Sequence, residues 1–144
     1  MSHRYVFHTE WLLARAPDEI YVALRDVASY PQWWPQVRSV RRLSETSGEL
    51  RCRSLLPYEL VFVISREIED PHARVLSARQ TGDLEGTSRW TVRDDGIAVF
   101  DEDVVVRKPL VRVAGRLARA ALRFNHDLMM RDGERGLRRH LETG

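Results

Sequence analysis

From Tyr5 to Leu13 the chain alternates, with Phe7, Trp11 and Leu13 on one side and His8, Glu10 and Leu12 on the other. That period of two predicts a first strand. Ala16-Pro17-Asp18-Glu19 then marks a helix start, where a proline and two acids suit the free amides and the positive end of the helix dipole. Ile20, Val22-Ala23-Leu24 and Val27 continue it as a short amphipathic helix. The helix runs into DVASYPQWWPQVRSVRRL, Asp26 to Leu43, in which Pro31 and Pro35 bracket Trp33-Trp34. Prolines fix φ and end regular structure, so this stretch reads as a short, stiff corner suited to one wall of an apolar cavity.

The middle of the chain is strand-rich. Val37 to Ser44, Glu49 to Leu56, Tyr58 to Ile68, Ala73 to Thr81, Thr87 to Arg93 and Ile97 to Arg107 are separated by turn signals, of which Asp94-Asp95-Gly96 is the clearest hairpin. Short links make these strands antiparallel. In the Tyr58 to Ile68 strand, Leu60, Phe62, Ile64, Arg66 and Ile68 share one face; later, Ala98, Phe100, Glu102, Val104 and Val106 share another. The chain closes with a long helix from Pro109 to about Leu141. Its predicted buried stripe is Leu110, Ala114, Leu117, Ala121, Phe124 and Leu128, with Arg112, Arg116, Arg119 and Arg123 opposite. Beyond Leu128 the pattern drifts, and Gly133 and Gly136 suggest a bend or loosening. Seven strands and one long helix that must bury a stripe give an α+β architecture, the sheet curving around the helix and enclosing a cavity.

Composition narrows the function classes. The 144 residues suit one domain, 1–144, and 43% hydrophobic with 31% charged residues suits a globule. A single cysteine, Cys52, excludes an internal disulfide and a thiolate metal cluster. No apolar run reaches the roughly 20 residues of a membrane span, and the N-terminus lacks a signal-peptide core. The cytoplasm is the expected compartment, with no stable membrane insertion. A net charge of +2 demands no anionic partner, and the arginine stripe lacks the aromatic interleaving of a single-strand binder, so no nucleic acid is expected. The histidines have no metal-site spacing.

Further residues carry a resemblance over nearly the whole chain. They are the Asp26 to Leu43 corner, Phe7-x-Thr9-x-Trp11, Arg53 to Tyr58, Gly82-Asp83-Leu84-Glu85-Gly86 with Arg89-Trp90, and Asn125-His126 with Met129-Met130 and Gly133-Glu134-x-Gly136-Leu137. Together they resemble the START-like (SRPBCC) superfamily, in particular its bacterial polyketide cyclase/dehydrase branch. The resemblance implies the helix-grip fold: a seven-stranded curved antiparallel sheet wrapped around a long C-terminal helix, with two short helices between strands 1 and 2. It also implies a cavity for lipids, polyketides or other apolar molecules; no cofactor is expected. Against the aromatase/cyclases of that superfamily, Arg66 falls where their interior strand arginine stands, and Ile64 replaces the hydroxyl two residues earlier. Tyr30 and Val37 align with their corner tryptophan and tyrosine.

The candidate site residues follow from face and position. Arg66, on an apolar strand face, needs an acid or an anionic ligand, because a lone buried charge is costly; a carbonyl or carboxylate anchor and a structural ion pair both remain open. Glu102, on the Phe100 face, is a cavity carboxylate able to pair Arg66 or act as general acid/base, unless the register slips by one. Asn125 and Asp132 fall on or near the helix stripe with Ala121 and Leu128, and either polar group could meet a ligand. His126 falls off that stripe, which assigns it to solvent or end packing. Trp11, Tyr30, Trp33, Trp34, Phe62, Trp90 and Phe100 supply an aromatic interior. Both tryptophans of the corner can hardly bury, so Trp33 or Trp34 is expected at the cavity mouth, beside a mobile Gly82 to Gly86 loop. Two functions fit: binding of an apolar or aromatic small molecule, with Arg66 and Asn125 fixing its polar end; or aldol-type cyclisation or dehydration of a polyketide-like chain, with Arg66 polarising a carbonyl and Glu102 or Asp132 moving protons. Oligomeric state is not legible.

Overall fold

A computed structural model describes residues 3–54, 56, 58–108 and 115–143. In chain order these form β1 (Arg4–Leu12), α1 (Pro17–Arg25), a 3₁₀ turn (Val27–Ser29), α2 (Tyr30–Trp33), β2 (Val37–Arg42), β3 (Ser47–Cys52), β4 (Leu60–Asp70), β5 (Val75–Gly82), β6 (Leu84–Val92), β7 (Ile97–Val106) and α3 (Gly115–Thr143). The seven strands make one sheet in the order β1-β7-β6-β5-β4-β3-β2, every neighbouring pair antiparallel. This is the helix-grip arrangement, with α1 and α2 between the first two strands and α3 against the inner face of the sheet.

Alternation decides which side of each strand is covered. In β1, Tyr5 and Trp11 are buried while Val6, His8 and Leu12 are exposed; in β7, Ala98, Phe100, Glu102, Val104 and Val106 are buried. The β6–β7 hairpin turns at Gly96, whose φ of +80° only glycine adopts without strain, and whose carbonyl accepts from the Leu13 amide at 3.2 Å. β4 departs from simple alternation. A bulge between Arg66 and Ile68 shifts its register on β5, so Ile68, expected inside with Arg66, is exposed.

Three further expectations are corrected. The Gly82 to Gly86 stretch is not a loop free of the sheet. Gly82 pairs with Phe62, Leu84 pairs with Val106, and the Asp83 carboxylate accepts from the Val61 amide at 2.8 Å.

The second correction concerns α3, which turns the opposite face to the sheet from the one predicted. Leu117 is 82% exposed and Phe124 63%, whereas Leu122, Met130, Gly133 and Leu137 are buried. The buried set recurs at steps of eight, three and four, which keeps it on one side of a helix. The upstream part of the expected helix, residues 109–114 with Leu110 and Ala114, lies outside the described residues.

Third, the helix does not loosen at its glycines but runs on unbroken to Thr143, and they let it approach. A Cβ on Gly133 would lie 2.6 Å from the Trp34 ring and 2.8 Å from the Trp11 ring, and one on Gly136 would collide with the Trp33 carbonyl. The corner is therefore covered rather than open. Trp33 and Trp34 are each only 5% exposed, stacked at 5.4 Å, because the glycine face of α3 seats directly on them.

Candidate functional site

Between the inner face of the sheet and α3 lies a cavity of about 140 Å³. Its wall is mostly apolar. Phe62, Leu76, Trp90, Phe100 and Val104 come from the sheet, Tyr30 and Trp34 from the corner, and Leu122, Met129 and Met130 from α3. The volume is of the same order as apolar cavities known to admit small aromatic molecules. Trp90 and Phe100 pack with ring centres 4.6 Å apart, forming an aromatic floor across β6 and β7.

The polar groups on the wall are few. Glu102, 7% exposed, projects from β7 and meets His126 of α3, with Oε1 3.3 Å from Nε2. Phe7 stacks flat on the His126 ring at 3.6 Å, fixing its plane. His126 Nδ1 is buried with no hydrogen-bond partner among the described residues, as is Gln80 Oε1, also on the wall. Ser77, Ser88 and Asn125 are also on the wall. Arg66 lines the cavity at the opposite side, where its guanidinium donates to Glu69 at 3.0 Å and to the Arg25 carbonyl at 3.4 Å. That carbonyl belongs to the last turn of α1, whose negative dipole end a cation suits. Arg66 and Glu102, which the sequence allowed as partners, thus each have another.

Two titrating side chains on the wall are held neutral. Burial pushes the Tyr30 phenol far above its ordinary value, and its hydroxyl donates to the Leu24 carbonyl at 2.6 Å. Burial, with the nearby charges of Glu102 and Glu59, pushes the Cys52 thiol up to about 12. A thiol so placed is a small hydrophobe rather than a nucleophile.

Of the residues singled out from sequence, Tyr30, Trp34, Phe62, Arg66, Trp90, Phe100, Glu102 and Asn125 lie on the cavity wall. Trp11 and Trp33 are buried beside it, Trp11 packing edge-on against Trp34 at 5.2 Å and Trp33 against Trp11 at 6.2 Å. Asp132 accepts from the Gln36 side chain at 2.7 Å, away from the wall. Ala121 and Leu128 lie off the wall, on the side of α3 that carries Phe124. His126 is the residue that sequence reasoning assigned elsewhere. The stripe of Leu117 and Phe124 turns it outward, whereas the spacing Leu122, His126, Met129, Met130, Gly133, Leu137 turns it inward.

A family model described as "Polyketide cyclase / dehydrase and lipid transport" matches residues 13–124. The chain belongs to the polyketide cyclase/dehydrase and lipid transport family. Members of this START-like superfamily are found among solved structures of the same fold. An aromatase/cyclase, Zhui from Streptomyces sp. R1128, is 18% identical with a TM-score of 0.80, over 97% of this chain and 94% of that one. A START superfamily protein from Mycobacterium smegmatis is 16% identical with a TM-score of 0.70, over 98% of both chains. The di-domain aromatase/cyclase BexL, of the BE-7585A biosynthetic pathway, is 22% identical with a TM-score of 0.72, over 97% of this chain and 50% of that one. A sequence search of curated proteins finds no match. At these identities the shared property is the fold. Among the described residues of this family member, no helix is long and apolar enough to cross a membrane, and no cluster of three metal-ligating side chains forms.

Proposed function

We propose that this protein binds an apolar or aromatic small molecule, lipid- or polyketide-like, in the cavity between the sheet and α3. The observation that carries this reading is the wall itself: apolar and aromatic over most of its area, with a few buried polar groups, which is how small-molecule sites are built. Tyr30, Trp34, Phe62, Trp90 and Phe100 would contact the hydrocarbon part, and Arg66 and Asn125 its polar end. The partner is the small molecule, and the protein acts without a cofactor in the cytoplasm.

Native mass spectrometry of freshly purified protein should show a retained small molecule. Titration with the uncharged dye N-phenyl-1-naphthylamine should saturate at one site while altering emission from Trp34 and Trp90. A bare mass together with no saturable dye binding would sink the reading.

A second reading is supported by the Glu102–His126 pair on the same wall: an aromatase/cyclase-type enzyme performing aldol cyclisation or dehydration. Arg66 would polarise a carbonyl, and Glu102 would take the proton from the carbon between two carbonyls. Under that reading Glu102→Gln abolishes conversion of a poly-β-ketone while leaving its affinity unchanged. Equal conversion by variant and wild type removes Glu102 from the chemistry.

A further inference from the structure

Three of the cavity's polar side chains, Glu102, Ser88 and Arg66, fall in one line, with Ser77, Gln80 and Asn125 outside it. Following the register across the sheet, Phe7 of β1 faces Glu102 of β7, Glu102 faces Ser88 of β6, Ser88 faces Ala78 of β5, and Ala78 faces Arg66 of β4. All five line the cavity, so they form one transverse row on its floor. The row carries an acid near one end, a cation at the other, and a hydroxyl and the smallest side chain of the set between. The rows on either side are mainly apolar: Phe100, Trp90 and Leu76 on one, and Tyr5, Val104, Gln80 and Ile64 on the other.

Three inter-strand steps separate Glu102 from Arg66, about 14 Å between backbones. Each end has hydrogen-bonding capacity to spare. At one, His126 Nδ1 is buried and unpartnered among the described residues, and the Glu102–His126 contact is long at 3.3 Å. At the other, Arg66 commits two of its five N–H donors. The Glu69 carboxylate that accepts one of them is half exposed, so solvent can take it when another anion arrives.

Resting on the reading of the cavity as a ligand site, we propose that the ligand is a rigid, flat molecule bearing an oxygen at each end and lying across the strands. Its hydroxyl is held at Glu102–His126, its carboxylate or carbonyl is held by Arg66, and its hydrocarbon middle sits over Ser88 and Ala78. A one-headed lipid leaves the spare hydrogen-bonding groups at one end of the row desolvated and unsatisfied, which is costly. A two-headed ring system satisfies both ends, so the row sets both the length and the polarity of what binds.

Four probes separate the ends: 6-hydroxy-2-naphthoate, 2-naphthol, 2-naphthoate and 2-methylnaphthalene, each titrated by tryptophan quenching. Wild type should bind the two-headed probe at least about tenfold more tightly than either one-headed probe. Arg66→Met should reduce that probe to the affinity of 2-naphthol, and Glu102→Met to that of 2-naphthoate. Retained binding of 2-methylnaphthalene shows that each variant keeps its cavity. Should a variant fail to fold, the wild-type ranking still decides. Equal affinity for all four probes overturns the two-headed ligand and leaves an apolar site standing. Failure of all four to bind overturns the site itself.

Discussion

At the surface of this protein, His8 shows how immediate partners shift a titrating side chain. On the exposed face of β1 its Nδ1 lies 2.6 Å from Asp101 and its Nε2 3.4 Å from Glu10. Hydrogen bonds to those carboxylates raise its pKa above the ordinary 6.5. A group with a raised folded-state pKa stabilises the fold fully at pH values below that of the unfolded chain. The contribution fades as pH rises through the raised value. Urea denaturation of wild type and His8→Ala should therefore differ most near pH 5.5, and the difference should shrink toward pH 8.5. A gap that is constant across this range would show that His8 acts by packing alone. Exposure and screening keep the effect small.

Among the elements, α3 makes the sharpest test, because two of its faces are apolar in sequence and one is buried. A Cβ at Gly136 meets the backbone carbonyl of Trp33, which cannot rotate away. Gly136→Ala should therefore destabilise by about 1–3 kcal/mol as an overpacking change, although alanine is favoured over glycine in a helix by about 1 kcal/mol. Phe124→Gln on the exposed side should stay within about 0.5 kcal/mol of wild type. Thermal denaturation of both variants checks the assignment, and the opposite ranking would mean that α3 is rotated by half a turn about its axis.

For the whole molecule, the cavity makes stability depend on occupancy. A ligand present at 100 times its Kd adds about 2.7 kcal/mol to the folded state. For a chain of this size each kcal/mol raises Tm by about 2–4 °C. A bound two-ring probe should therefore lift Tm by several degrees in a concentration-dependent way, measurable by differential scanning fluorimetry. An unchanged Tm at saturating probe would place the probe outside the folded protein's core. The fold supports such a cavity because a curved sheet and a single covering helix touch along two borders, not across the whole face. One border is the glycine contact of α3 with the tryptophan corner.

What the sequence by itself determined is the material that local periodicity encodes. The alternation of Phe7 with His8, and of Phe100 with Asp101, assigns strands and their inner faces. Asp94-Asp95-Gly96 announces a hairpin, and Pro31 and Pro35 announce the corner. These depend on neighbours a few positions apart, so seven strands and the inward placement of Arg66 and Glu102 were legible, while the β4 bulge that turns Ile68 outward was not. Tertiary structure decided what depends on contacts between distant segments. It chose Leu122, Met130 and Leu137 over Leu117 and Phe124 because only a helix seated by Gly133 and Gly136 can lie on Trp11, Trp33 and Trp34. That choice brought His126 to Glu102, 24 positions away, and left Arg66 to Glu69 and the end of α1. A helix with two apolar sides has no periodicity that ranks them; the shape of the surface beneath it does.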